Sequence, residues 1–183
     1  SSGTSWEPGS GSTILSYAGA CGSDNIANSN DDYFHVGNIG QFKTHIAGAD
    51  CGIEEDSGNN EPEIIWNYTN GFYIPISTPF ELQAEATDID GDNMTYNWEQ
   101  MNTGLSSSLG SPMGNGPSFR SFRPDQNNFR IFPRLTTILF NTNDKTEVLP
   151  TYNRSLRFRF VVRDNHPGAG SMVWQDISFN ATE

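Results

Sequence analysis

The strongest constraint on this chain is period-two alternation, repeated in four separate stretches. In 80–87, Phe80, Leu82, Ala84 and Ala86 alternate with Glu81, Gln83, Glu85 and Thr87. Met94, Tyr96 and Trp98 share one face of 94–101, and Val173, Ile177 and Phe179 share one face of 172–180. In 156–162, Leu156, Phe158, Phe160 and Val162 point one way, and Arg157 and Arg159 the other. Successive side chains of a strand face opposite sides of its sheet, so each stretch reads as a strand with a buried face. Shorter apolar runs at 64–66 and 73–76 add two more. Turns rich in Gly, Asn, Asp and Pro separate the runs, which predicts an antiparallel sandwich.

Composition agrees. Eighteen glycines and ten prolines argue against a helix bundle, while 12% aromatic residues supply large side chains for a core. Trp98 on a middle strand fits an immunoglobulin-like core. The predicted class is therefore mainly β, an immunoglobulin/cadherin-like sandwich over residues 64–183. A small helix-containing segment, 1–55, precedes it, with an acidic, turn-rich linker at 56–63. In that segment Tyr33, Phe34, Val36, Ile39, Phe42 and Ile46 recur at near-helical steps. They predict a helix over about 31–45, capped by Asp31 or Asp32. Such a segment cannot bury a core alone and must lean on a larger body. The stretch 102–155 lacks alternation and reads as a long insertion. Four of its arginines (120, 123, 130 and 134) are interleaved with aromatics. They read either as a sticky groove or as a loop packed over the sandwich and paired with the acidic half.

The net charge is −12, and residues 1–119 carry sixteen acidic side chains against one basic, Lys43. That balance excludes an ordinary nucleic-acid binder and favours a divalent cation as partner. No apolar run reaches the roughly 20 residues of a membrane span. Cys21 and Cys51, well apart in an Asn/Gly/Ser-rich chain, point to one disulfide in a secreted or cell-surface protein; two free thiols are the alternative.

The clearest chemical motif is Asp88-Ile89-Asp90-Gly91-Asp92. Alternate aspartates around a glycine can turn three carboxylates toward one point, and calcium takes 6–8 hard oxygen ligands. Asp88, Asp90 and Asp92 are the candidate calcium ligands. Asp164, at the end of a strand, is a possible fourth, and Glu61 or Glu63 could join from the linker. The alternative is an acidic hairpin turn with no metal. Catalytic motifs are missing: His35, His45 and His166 form no HExxH, and no Gly-x-Ser-x-Gly occurs.

Residues 7–22 (EPGSGSTILSYAGACG) resemble the Met-turn region of reprolysin-like metzincin zinc peptidases of the Bacteroidetes type. The run Asp31-Asp32-Tyr33-Phe34-His35 resembles the start of their last catalytic-domain helix. Residues 73–82, 88–92 and 95–101, with Phe132-Pro133-Arg134 and Val148-Leu149-Pro150, resemble the immunoglobulin-like module that follows it. The resemblance covers nearly the whole chain. It implies a bacterial, secreted parent endopeptidase acting on polypeptides. Its HExxHxxGxxH helix, with the zinc ligands and general-base Glu, would lie before Ser1. Leu15 stands at the Met-turn position, and Tyr17 matches a tyrosine that reaches zinc in some metzincins, or is a core aromatic. Two functions are therefore open. One is the C-terminal portion of a secreted zinc metallopeptidase, inactive alone, whose partner is the missing catalytic part. The other is a noncatalytic binding or structural module of a larger assembly, partnered by another protein chain.

Overall fold

The computed structural model describes residues 3–183 apart from Cys51 and Glu54. Every predicted strand region is extended, and strand outweighs helix. The elements run 3-10 turn Gly22–Asp24, α1 (Val36–Ala47), β1 (Glu63–Ile65), β2 (Tyr73–Pro75), β3 (Phe80–Gln83), β4 (Glu85–Thr87) and β5 (Thr95–Gln100). They continue with β6 (Phe129–Phe132), α2 (Leu135–Leu139), β7 (Arg154–Arg163) and β8 (Met172–Thr182).

The central sheet has the order β2-β8-β7-β5, and two antiparallel pairs, β3-β6 and β1-β4, pack against it. Hydrophobic burial holds these layers together. Leu82 from β3, Phe132 from β6, Trp98 from β5, Leu156, Phe158 and Phe160 from β7 and Phe179 from β8 are all at most 2% exposed. Their rings pack at offset, tilted or edge-on contacts; Phe132 and Phe158 lie 4.6 Å apart between centroids. Each such pair contributes about 1 kcal/mol beyond the area it buries.

Three features differ from the sequence expectation. First, the sheet is mixed, because β2 runs parallel to β8, Tyr73 opposite Asn180. Phe72 stacks on Phe179 at 4.6 Å, and the Asn70 side chain accepts the Ser178 amide hydrogen, which together fix that register. Second, the single alternating run 80–87 is two strands in two different sheets. The break falls at Ala84, whose amide donates to Asn128 rather than to a ladder partner. Third, 102–155 is more than an insertion. It supplies β6 and two fully buried rings, Phe119 and Phe132, and Gln100 Oε1 anchors it by accepting the Ser118 and Phe119 amides.

The first segment leans on the opposite face of the central sheet. Val161, between the core residues Phe160 and Val162, faces it and is fully buried with Val36 and Met101. Glu99, on the same face, accepts the Val36 amide hydrogen at 2.7 Å. The helix begins later than expected. His35 caps it, its Nδ1 accepting from the Gly37 amide, while Asp31 and Asp32 are drawn to Arg120 and Arg123. Gly37 is required where it stands, since a Cβ there would lie 2.7 Å from the Trp6 ring, and Trp6 in turn stacks on His35.

Candidate functional site

The Asp88–Asp92 loop leaves the end of β4. Asp88 Oδ1 accepts the amide hydrogens of Asp90 and Asp92, at 3.0 and 3.1 Å, which closes the loop on itself. Gly91 takes φ +76°, a left-handed conformation that glycine adopts without steric cost. The result brings ligand oxygens of Asp88, Asp90 and Asp92 within 4.8 Å of one another, a group that could hold a metal ion. Asp88 Oδ2 is buried and has no hydrogen-bond partner among the described residues. A hard cation fits this donor set, since all three ligands are carboxylate oxygens.

The surroundings of the trio include residues the sequence did not single out. Asn60, from the linker, donates its amide and its side-chain Nδ2 to Asp90, and these bonds hold the Asp90 carboxyl below its ordinary range. His166 Nδ1 lies 2.7 Å from Asp92 Oδ2, and this hydrogen bond raises the imidazole pKa. The linker partners are thus Asn59 and Asn60; Glu61 and Glu63 are not among the grouped ligands.

Asp164 has a different role. It is fully buried, and its oxygens accept from the Ser171 amide and hydroxyl, the Asn59 side chain and the His166 amide. Burial pushes this carboxyl up, but the hydrogen bonds prevail and hold it down at about 2. It pins the 164–171 turn and the linker beside the trio, and it is not grouped with the three ligands.

The turn of the first segment is organised by one carboxylate. Glu7 Oε1 accepts from the Ser12 amide, and Glu7 Oε2 from the Thr13 amide and hydroxyl, the last at 2.5 Å. Ser12 and Thr13 are buried beneath the turn, and Ile14 bridges to Phe34. Leu15 and Tyr17 project from it, 62% and 71% exposed, so Tyr17 is not a core aromatic. Ile46 of α1 is 68% exposed. Cys21 is half-buried; its proposed partner Cys51 lies outside the described residues.

The histidines are dispersed. His35 is buried as a helix cap, His45 sits in the last turn of α1, and His166 serves Asp92. Among the described residues the aspartate trio is the one group of three metal-ligating side chains, and it contains no histidine or cysteine. Among the described residues no helix is long and apolar enough to cross a membrane.

Four of the arginines of 102–155 divide between carboxylates. Arg130 and Arg134 pair with the buried Glu147, and Arg120 and Arg123 with Asp31. They surround Phe122, whose ring lies 4.7–5.0 Å from the guanidinium carbons of Arg120, Arg130 and Arg134. The packed-loop reading holds in part: the stretch packs over the sheets and lines a cleft, Arg120 and Arg123 pair with the acidic half, but Arg130 and Arg134 pair with Glu147 and Asp144 inside the stretch itself.

Compared with known proteins, the chain matches no family model, no curated sequence and no solved structure.

Proposed function

We propose that this chain is the C-terminal portion of a secreted bacterial zinc metallopeptidase, noncatalytic on its own. In this reading residues 1–55 are the floor of a metzincin catalytic domain, and 64–183 are an immunoglobulin-like sandwich stabilised by calcium at Asp88, Asp90 and Asp92. The observation that carries it is the open side of the first segment. Leu15 and Tyr17 stand largely in solvent on a turn that is rigidly built underneath by Glu7. A floor of that form is suited to lie beneath a second body. Zinc, its histidines and the general-base Glu would come from that body, and zinc would supply an activated water there.

Calcium is the preferred ion because the ligands are all carboxylate oxygens on an exposed loop; zinc favours nitrogen and sulfur donors. The test is a longer gene product that includes the sequence encoded before Ser1. A His-Glu-x-x-His in it, with zinc-dependent peptide cleavage, supports the proposal; a longer product without the motif contradicts it.

A second reading, a noncatalytic binding module of a larger assembly, is supported by the exposed Leu15 and Tyr17, which a partner chain would cover. Partner capture without any peptidase activity in the longer product would select it.

A further inference from the structure

Two Asn-Gly dipeptides occur in the chain, Asn70-Gly71 and Asn115-Gly116. In such a pair the glycine amide nitrogen can attack the asparagine side-chain carbonyl, because glycine has no Cβ to hinder the approach. A bond forms between the glycine nitrogen and the asparagine Cγ. The bond from Cγ to the side-chain nitrogen breaks, and that nitrogen leaves as ammonia. The succinimide so formed takes up one water and opens at either carbonyl, to aspartate or to isoaspartate. Attack requires the glycine amide to give up its proton and the side chain to turn onto its own backbone. Hydrogen bonds at those two groups therefore hold the reaction off.

Both pairs are held in this way. Asn70 Oδ1 accepts the Ser178 amide hydrogen at 2.9 Å, and the Gly71 amide donates to Ser178 O at 2.8 Å. Asn115 Oδ1 accepts the Ser155 amide hydrogen at 3.2 Å, and the Gly116 amide donates to Met113 O at 3.0 Å. What surrounds the two pairs differs. β2 is three residues long and lies at the edge of the central sheet. Asn70 and Gly71, just before it, are both exposed. Gly116 is buried, and its carbonyl accepts from the buried Arg154. The Tyr152 hydroxyl ties down the Pro112 and Gly114 carbonyls beside it. Gly104 packs so close that a Cβ there would lie 2.6 Å from the Gly116 nitrogen. Short, exposed edge elements open at low free energy, whereas packed ones open near the global value.

We propose that Asn70 is a modification site, deamidating through a succinimide with Gly71 when the start of β2 lifts from β8, and ahead of Asn115. The aspartate product keeps an acceptor for the Ser178 amide, so the strand can pair again. The isoaspartate product routes the main chain through Cβ and Cγ and lengthens it by one carbon. Residues 70 and 71 then no longer match Ser178, and the parallel register that follows is lost. Deamidation thus records opening of this edge, and isoaspartate makes the opening permanent. The assignment stands independently of the peptidase reading.

The test incubates the whole chain in mildly alkaline buffer, native and in guanidinium chloride. Peptide mass mapping follows conversion at Asn70 and Asn115, and enzymatic methylation scores isoaspartate. In guanidinium the two asparagines should convert at similar rates. In native buffer Asn70 should convert at least about tenfold more slowly than that, a local opening free energy of about 1.4 kcal/mol or more. Asn115 should be slower still. Phe72→Leu removes the ring stack on Phe179 that holds the start of β2. It should speed conversion at Asn70 about fivefold and leave Asn115 unchanged. No conversion at Asn70 in native buffer, conversion there at the guanidinium rate, Asn115 leading, or equal acceleration of both in the folded variant would overturn the assignment. The comparison of native with unfolded chain uses the unaltered protein and so survives a variant that fails to fold.

Discussion

Glu99 on β5 accepts the Val36 amide hydrogen through Oε2 at 2.7 Å, joining residues 63 apart in sequence. The carboxylate is fully buried, and it ties the start of α1 to the central sheet. Its other oxygen is buried without a partner among the described residues. Glu99→Ala removes the acceptor and leaves both a cavity and an orphaned amide. The expected loss is about 2–4 kcal/mol in a denaturant melt. Glu99→Gln, which keeps an acceptor, should cost less, and limited proteolysis should attack 6–47 first in the alanine variant.

Glu147 supports the cleft from behind. It is 3% exposed and pairs with Arg130 and Arg134. Removing one member of a buried pair leaves an uncompensated charge, which costs about 3–5 kcal/mol. Glu147→Ala should therefore lower stability by that order, whereas Arg123→Ala, at an exposed pair with Asp32, should change it by less than about 1 kcal/mol. Equal effects of the two would remove the distinction.

Asp164 makes acid sensitivity specific. Its folded-state pKa, about 2, is below the ordinary 3.8. A depressed carboxyl stabilises the fold above the unfolded pKa, and that stability is lost as pH falls from about 4 through 2. Asp164→Asn should cost about 2 kcal/mol at pH 7, and the difference from wild type should vanish as pH approaches 2. A constant difference across that window would contradict the assignment.

The aspartate loop gives a ligand-linked signal. Calcium at about 100 times its Kd should stabilise the chain by about 2.7 kcal/mol, or roughly 5–10 °C in Tm. Asp90→Ala should abolish that increment. In chelator the same substitution should cost little, since Asp90 is exposed and loses only its bonds to Asn60. Equal losses with calcium and with chelator would rule the metal out.

Much of this fold is written in local alternation, and what is missing from it is long-range. The strands around Trp98, Phe158 and Phe179 follow from period two because each has one face on the core. The break at Ala84 is invisible locally: the alternation continues through it, and the contact that creates it comes from Asn128, 44 positions on. β6 carried little signal, since Phe129-Arg130-Ile131-Phe132 is short, does not alternate polar with apolar, and is flanked by Asn128 and Pro133. The covered second face was announced by Val161, an apolar residue on the side occupied by Arg157 and Arg159. At the site, the Asp88, Asp90 and Asp92 grouping was legible from spacing. The parts played by Asn59, Asn60 and His166 were not, because each is set by tertiary proximity alone.

The most direct test of the central claim compares residues 1–183 with the longer gene product, each assayed for bound zinc and for chelator-sensitive cleavage of a quenched peptide library. The account expects no zinc and no cleavage from 1–183, and one zinc with cleavage from the longer product. Zinc-dependent cleavage by 1–183 itself, or a longer product that binds no zinc and cuts nothing, would contradict it.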